Sequence, residues 1–281
     1  MTVASRTLLS IFAACAFAAA QQPAPSPDFV EGNRLDLEGK GKEARVAFQK
    51  VLDSASTPAA KLQALRNMAM SYAFEGDCKN MAKYQQMAID HLNAQQKDKP
   101  GSTFGQQGEL ANEAGRVCID LGDLNAAEQW YKKGNALSLK EADISAARKH
   151  LAEFRMEHAM ARLAARRGNK SLAANHVAGA QRALDQLKAA DDAMYQGQQS
   201  ALPYLTGYVA FYAGDLKTAL ADLQKANTQD FFIQCLIGMT YEKMGQKEEA
   251  MEWYKKASVV NNRTASAAFA KQFTRKKLGG A

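Results

Sequence analysis

Six glycines set the register of this 281-residue chain: Gly39, Gly76, Gly122, Gly168, Gly214 and Gly245. Seven residues before each stands a small residue: Gly32, Ala69, Gly115, Ala161, Gly207 and Gly238. Five residues after each come Ala44, Met81, Ala127, Ala173, Ala219 and Ala250, and twelve after come Val51, Ala88, Gly134, Ala180, Ala226 and Ala257. Any one column is weak evidence in an alanine-rich chain, but six glycines out of 19 holding every register together is strong evidence. A glycine that accepts positive φ ends one helix. The small residue before it lets two helices cross closely, and the later small residues lie on one face of the second helix. The pattern predicts repeated helix pairs, none able to bury its own apolar face alone.

Capping chemistry supports the same units independently. Asp77, Asp123, Asn169 and Asp215 directly follow their glycines, where a side-chain oxygen caps the next helix. Ser26-Pro27 opens the first helix in the same manner, with proline at the first helical position. Thr264 caps a final helix whose apolar stripe is Ala265, Phe269 and Phe273 and whose polar side carries Lys271, Arg275, Lys276 and Lys277. The spacing of the glycines, at 37, 46, 46, 46 and 31 residues, demands longer helices or ordered connections such as 97–103 in the middle of the chain. Asp143–Arg167 reads as one long helix.

The most regular unit, Ile237-Gly238-x-x-Tyr241-x-x-x-Gly245-x-x-x-x-Ala250-x-x-x-Tyr254-x-x-Ala257, resembles the tetratricopeptide repeat (TPR), a 34-residue helix–turn–helix unit. The copies depart from that family in lacking its early tryptophan, and the second has Met81 for alanine and Gln85 for an aromatic. The resemblance implies an all-α, right-handed TPR-like solenoid of about six helix–turn–helix units with a C-terminal capping helix. The expected divisions are a signal peptide over 1–20, a proline-rich lead-in over 21–27, the solenoid over 28–263, and a capping helix with basic tail over 264–281.

Met1–Ala20 reads as an export signal: Arg6 in a short n-region, an apolar run over Leu8–Phe17, and a small-x-small cleavage site at Ala18-Ala19-Ala20. Cleavage after Ala20 predicts a periplasmic or secreted protein. The alternative is a lipid anchor at Cys15, because Ala13-Ala14-Cys15 resembles the end of a lipobox. No later apolar run reaches the roughly 20 residues that span a bilayer. Removing Arg6 takes the net charge from +7 to +6. That balance favours acidic peptides, anionic glycans or lipid head groups as partners, while export disfavours nucleic acid. Cys78, Cys118 and Cys235 remain, and an odd count without short-range pairing favours free thiols. Cys78 and Cys118 fall in neighbouring repeats and are the two that could pair.

No phosphate-binding loop, nucleophile elbow or metal-ligand constellation stands out. His150, Glu153 and Glu157 share a helix face, but charged helices produce such triplets by chance and no further ligand accompanies them. No cofactor, no metal and no enzymatic activity are expected. The sequons Asn169-Lys170-Ser171 and Asn262-Arg263-Thr264 read as helix-start chemistry.

In TPR proteins the second, fifth, ninth, twelfth and thirteenth positions of each first helix line a concave groove. With each terminating glycine as fifteenth, the second to fourth units contribute Arg66, Asn112, Arg116, Arg155, His158, Arg162 and Arg166, opposed by Glu109 and Asp120. The fifth contributes Tyr204, Tyr208, Phe211 and Tyr212, and the sixth adds Phe232, Cys235 and Met239. The resemblance therefore implies a groove turning from basic to aromatic. It would bind a protein or peptide segment through acidic or C-terminal carboxylate groups on the arginines and apolar anchors on the tyrosines. A second function class is an anionic envelope polymer or lipid surface bound by the arginine-rich units.

Overall fold

The computed structural model describes residues 26–97 and 99–279, so the expected export signal, its cleavage site and Cys15 lie outside the described residues. Six helix pairs follow one another: α1 (Pro27–Glu38) with α2 (Gly41–Asp53), α3 (Pro58–Glu75) with α4 (Cys78–Ala94), and α5 (Phe104–Leu121) with α6 (Leu124–Ser138). Then come α7 (Ala146–Arg166) with α8 (Lys170–Ala190), the short α9 (Asp192–Gln196), α10 (Ala201–Ala213) with α11 (Leu216–Leu223), and α12 (Phe231–Lys243) with α13 (Lys247–Ser258). A last helix, α14, covers Ala265–Lys277. No strand occurs among the described residues.

All six register glycines adopt positive φ, between 74° and 95°, as the end of each first helix requires. At the crossings the space is already filled. A Cβ on Gly238 would sit 2.5 Å from the Tyr254 ring, and one on Gly32 would meet Phe48 at the same distance. Asp77, Asp123, Asn169 and Asp215 each accept a hydrogen bond from the backbone N–H three residues on. Ser26, Ser145 and Thr264 cap α1, α7 and α14 in the same way. The second unit, the least regular in sequence, is an ordinary pair: Met81 is buried, and the Gln85 amide donates to Glu113 Oε2 at 2.7 Å.

Part of the extra length of the middle units goes into longer helices, α7 and α8 at 21 residues each and α4 and α5 at 17 and 18. The remainder forms α9 and a compact connection that opens with a 3-10 turn over Gln95–Lys97, where the Gln96 side chain accepts from the Gly101 N–H at 2.7 Å.

The cysteine expectation needs correction. Cys78 and Cys118 form a disulfide, with Cα atoms 5.2 Å apart across a sequence separation of 40, which leaves Cys235 as a buried free thiol among the described residues. The Asp77 cap sets Cys78 at the first residue of α4, and stacking of neighbouring units brings that residue against Cys118 on α5. Sequence distance concealed a short spatial one.

The last helix does more than close the sixth unit. It packs on α12 and α13, as a cap should, and it also contacts α3 and α5. Three of those four partners are first helices, so α14 turns back across the face that first helices line. Ala267 and Ala268 join the cluster containing Ala69, Met70 and Ala73 of α3, while Ala270 packs with Cys235 and Ala257. In the linker before α14, Arg263 donates to Asp36, Asn33 and Asn67 on the first two units. Lys271 and Gln272 donate to the carbonyls of Leu37 and Ala73.

Candidate functional site

Two neighbouring clefts on the first-helix face are lined by groove positions. The first, of about 590 Å³, has Phe29, Asn33 and Leu37 from α1 and Gln63, Arg66 and Met70 from α3. Asn261, Asn262 and Arg263, in the linker before α14, form one wall. The second, of about 450 Å³, has Glu109, Asn112 and Arg116 from α5 and Arg155, His158 and Arg162 from α7. Glu113 lines both, so the two are neighbours along the same face.

Five of the expected groove residues, Asn112, Arg116, Arg155, His158 and Arg162, thus converge on the second cleft, and Arg66 stands in the first. Arg162 is 2% exposed and enclosed by phenols. Its Nη2 donates to the Tyr131 hydroxyl at 2.6 Å and its Nη1 to the Tyr204 hydroxyl at 3.1 Å. The guanidinium carbon lies 5.5 Å from the Tyr208 ring centroid, within cation–π range, and Nε is buried without a partner. No carboxylate forms an ion pair with Arg162 among the described residues. Burial holds the phenols protonated, pushing Tyr131 up to about 12 and raising Tyr204 and Tyr208 as well.

Arg116, by contrast, is paired. Its Nε donates to Asp120 Oδ2 at 2.7 Å while the guanidinium lies 4.8 Å from the Phe232 ring centroid. Arg155 is more loosely held, 3.7 Å from Glu109 and 39% exposed. Burial, reinforced by Arg162 and Arg116, drives His158 well below 6.5, so the imidazole is neutral at pH 7. The cleft combines a partly exposed Arg155, a half-buried Arg116 already paired with Asp120, a buried Arg162 and a neutral histidine. Of the three arginines, Arg162 is the buried cation that lacks a carboxylate partner among the described residues, and a buried charge of that kind is costly.

The aromatic end of the expected groove is not open. Tyr204, Tyr208 and Phe211 are 5%, 0% and 1% exposed, and Tyr212 is half-buried beneath Arg166. Arg166 itself donates to the Ile119 carbonyl at 2.9 Å and lines neither cleft. These aromatics form a stack in which Tyr204 meets Phe232 edge-on at 6.2 Å, and Phe232 meets Phe269 of α14 at 4.8 Å. Their positions on the first helices are as expected, but α14 and Arg162 cover them. Asn33, Gln63 and Asn261–Arg263 are additions. The first two occupy groove positions that the same register identifies, whereas no local signal places the linker there.

A family model described as tetratricopeptide repeat matches residues 108–141 and 233–258, which are α5 with α6 and α12 with α13. Tetratricopeptide repeats are found in these two segments of the chain. The helical array is all-α among the described residues, in agreement with the solenoid that the resemblance implies. No curated protein matches the sequence. Among solved structures, a tetratricopeptide repeat protein from Parabacteroides merdae is 19% identical with a TM-score of 0.44, covering 90% of this chain and 86% of that one. PilW, a type IV pilus biogenesis factor, is 15% identical with a TM-score of 0.41, covering 83% of this chain and 94% of that one. The TPR2AB domain of yeast Sti1, solved as a pHSP90 complex, is 17% identical with a TM-score of 0.32, covering 89% of this chain and 96% of that one.

Proposed function

We propose that the protein is a non-enzymatic interaction module or assembly scaffold outside the cytoplasm, which binds a protein or peptide segment through an acidic side chain or C-terminal carboxylate. Extended concave surfaces are how stacked helical repeats commonly bind partners. The observation that carries the reading is the convergence of Asn112, Arg116, Arg155, His158 and Arg162 on one cleft, with Arg162 buried and lacking a carboxylate. The first cleft, with its side-chain amides and Arg66, gives the rest of the segment hydrogen-bonding partners for its backbone.

Two features support a site outside the cytoplasm: the signal-like Met1–Ala20 and the Cys78–Cys118 disulfide, a bond that oxidising compartments preserve. Among the described residues no helix is long and apolar enough to cross a membrane.

The test is affinity capture from envelope extract with the wild type and with Arg155→Glu, a substitution at a partly exposed position. A partner retained by the first, lost by the second and eluted by a synthetic acidic peptide supports the reading. Equal retention by both would remove the second cleft from the account. Retention of glycan or lipid alone, abolished by salt, would favour the arginine-rich units as binders of anionic envelope polymer.

A further inference from the structure

The surface beneath α14 has the makings of a second interaction site. It is lined by Phe232 and Cys235 of α12, Tyr254 and Ala257 of α13, and Ala69, Met70 and Ala73 of α3. The helix seated there is held by unusually small anchors. Its fully buried apolar residues are Ala267, Ala268 and Ala270, while Phe269 and Phe273 are only half-buried. No large side chain of α14 is completely enclosed, whereas α7, α10 and α13 each enclose one or more: Phe154, Tyr208 and Tyr254. An alanine buries one methyl where those residues bury a ring, so the fully enclosed side chains of α14 contribute less apolar area each than those of α7, α10 and α13. The chain leading into it is exposed at Val259, Asn261 and Asn262. Arg263 is tied to Asp36 and Asn67 immediately before the helix begins, so α14 can leave while the linker stays anchored.

We propose that α14 is an exchangeable occupant of this surface, and that the surface accepts an amphipathic helix of a protein partner with the same chemistry. That helix carries two aromatic residues four apart, alanines around the first, and a lysine one turn beyond the second. Phe269 and Phe273 show the aromatic spacing, stacking on each other at 5.3 Å while one meets Phe232 and the other Tyr254. Lys277 shows the basic position, 2.7 Å from Glu242. The inference does not rest on carboxylate binding in the clefts, which a separate ligand reads.

The test uses the full chain and a fluorescent synthetic peptide of residues 263–278. In the wild type, α14 competes at an effective concentration in the millimolar range and excludes the peptide. Phe269→Ala/Phe273→Ala in the chain weakens the internal competitor, and that variant is expected to bind the wild-type peptide at least tenfold more tightly. A peptide with both phenylalanines replaced is expected not to bind. A Lys271→Ala/Lys277→Ala chain, which keeps the aromatics and loses two polar ties, is a second variant with the same expected direction. If either variant stays folded by circular dichroism and takes up no peptide, the proposal is wrong. Failure of both to fold makes α14 an integral core element and also overturns it. A wild-type dimer formed by exchanging α14 would assign the surface to a second copy instead.

Discussion

Arg263 donates from Nη2 to Asp36 Oδ2 at 2.6 Å, joining residues 227 apart and fastening the linker before α14 to the first unit. The carboxylate is fully enclosed and the guanidinium nearly so, at 0% and 10% exposure. Ser71 donates to the other Asp36 oxygen at 2.7 Å, so the acid has partners on both oxygens. Burial still pushes the Asp36 carboxyl up, with Arg263 opposing.

Removing one partner leaves a buried charge without compensation. Arg263→Ala is expected to destabilise the fold by about 3–5 kcal/mol in urea unfolding. The double variant Asp36→Ala/Arg263→Ala is expected to cost less than the sum of the two single changes.

The disulfide gives a redox prediction. Closing a loop of this length restricts the unfolded chain by about 4 kcal/mol on the chain-entropy model. Cys78→Ala, or reduction with dithiothreitol, should lower the unfolding midpoint accordingly. Burial raises the Cys235 thiol far above its ordinary range. Iodoacetamide should therefore leave Cys235 unlabelled in the native protein and modify it only after denaturation, as read by mass spectrometry.

Acid should loosen α14 at its C-terminal end. Lys277, by hydrogen bonding, holds the Glu242 carboxyl below its ordinary 4.5, with Tyr254 assisting. A depressed carboxyl stabilises the folded state above the unfolded value, and that contribution is lost as the pH falls through the lower folded value. Hydrogen exchange in α14 should accelerate relative to α12 as the pH is lowered below about 4.5, after correction for intrinsic rates. Glu242→Gln should largely remove that pH dependence.

The crossing glycines should resist even a methyl group. Gly238→Ala places a Cβ against the Tyr254 ring and 3.3 Å from the Ala250 carbonyl. Overpacking of this kind costs about 1–3 kcal/mol, measurable by thermal unfolding.

The repeats are legible in the sequence because everything that makes them is local. A terminating glycine, the cap after it and a small residue seven before it all act within one helix pair. The groove register is legible for the same reason: it names Asn112, Arg116, Arg155, His158 and Arg162 among the groove positions, and these five line one cleft. What it could not show is which groove positions another segment covers. Tyr204 and Tyr208 occupy groove positions, yet Arg162 and Phe232 enclose them, and Phe269 of α14 closes over Phe232. The Cys78–Cys118 bond and the reach of Arg263 to Asp36 are likewise products of stacking, and composition carries no trace of them.

Carboxylate binding in the second cleft can be measured by equilibrium titration. The ligand is a short acidic peptide with a free C-terminus, compared with the same peptide amidated and with its acids replaced by amides. Each is titrated by fluorescence anisotropy into the wild type and into Arg155→Ala. Saturable, salt-sensitive binding to the wild type is expected, weakened at least tenfold by neutralising the peptide and again by Arg155→Ala, with protein stability unchanged. Equal affinity for the acidic and neutral peptides, or for the wild type and Arg155→Ala, would contradict it.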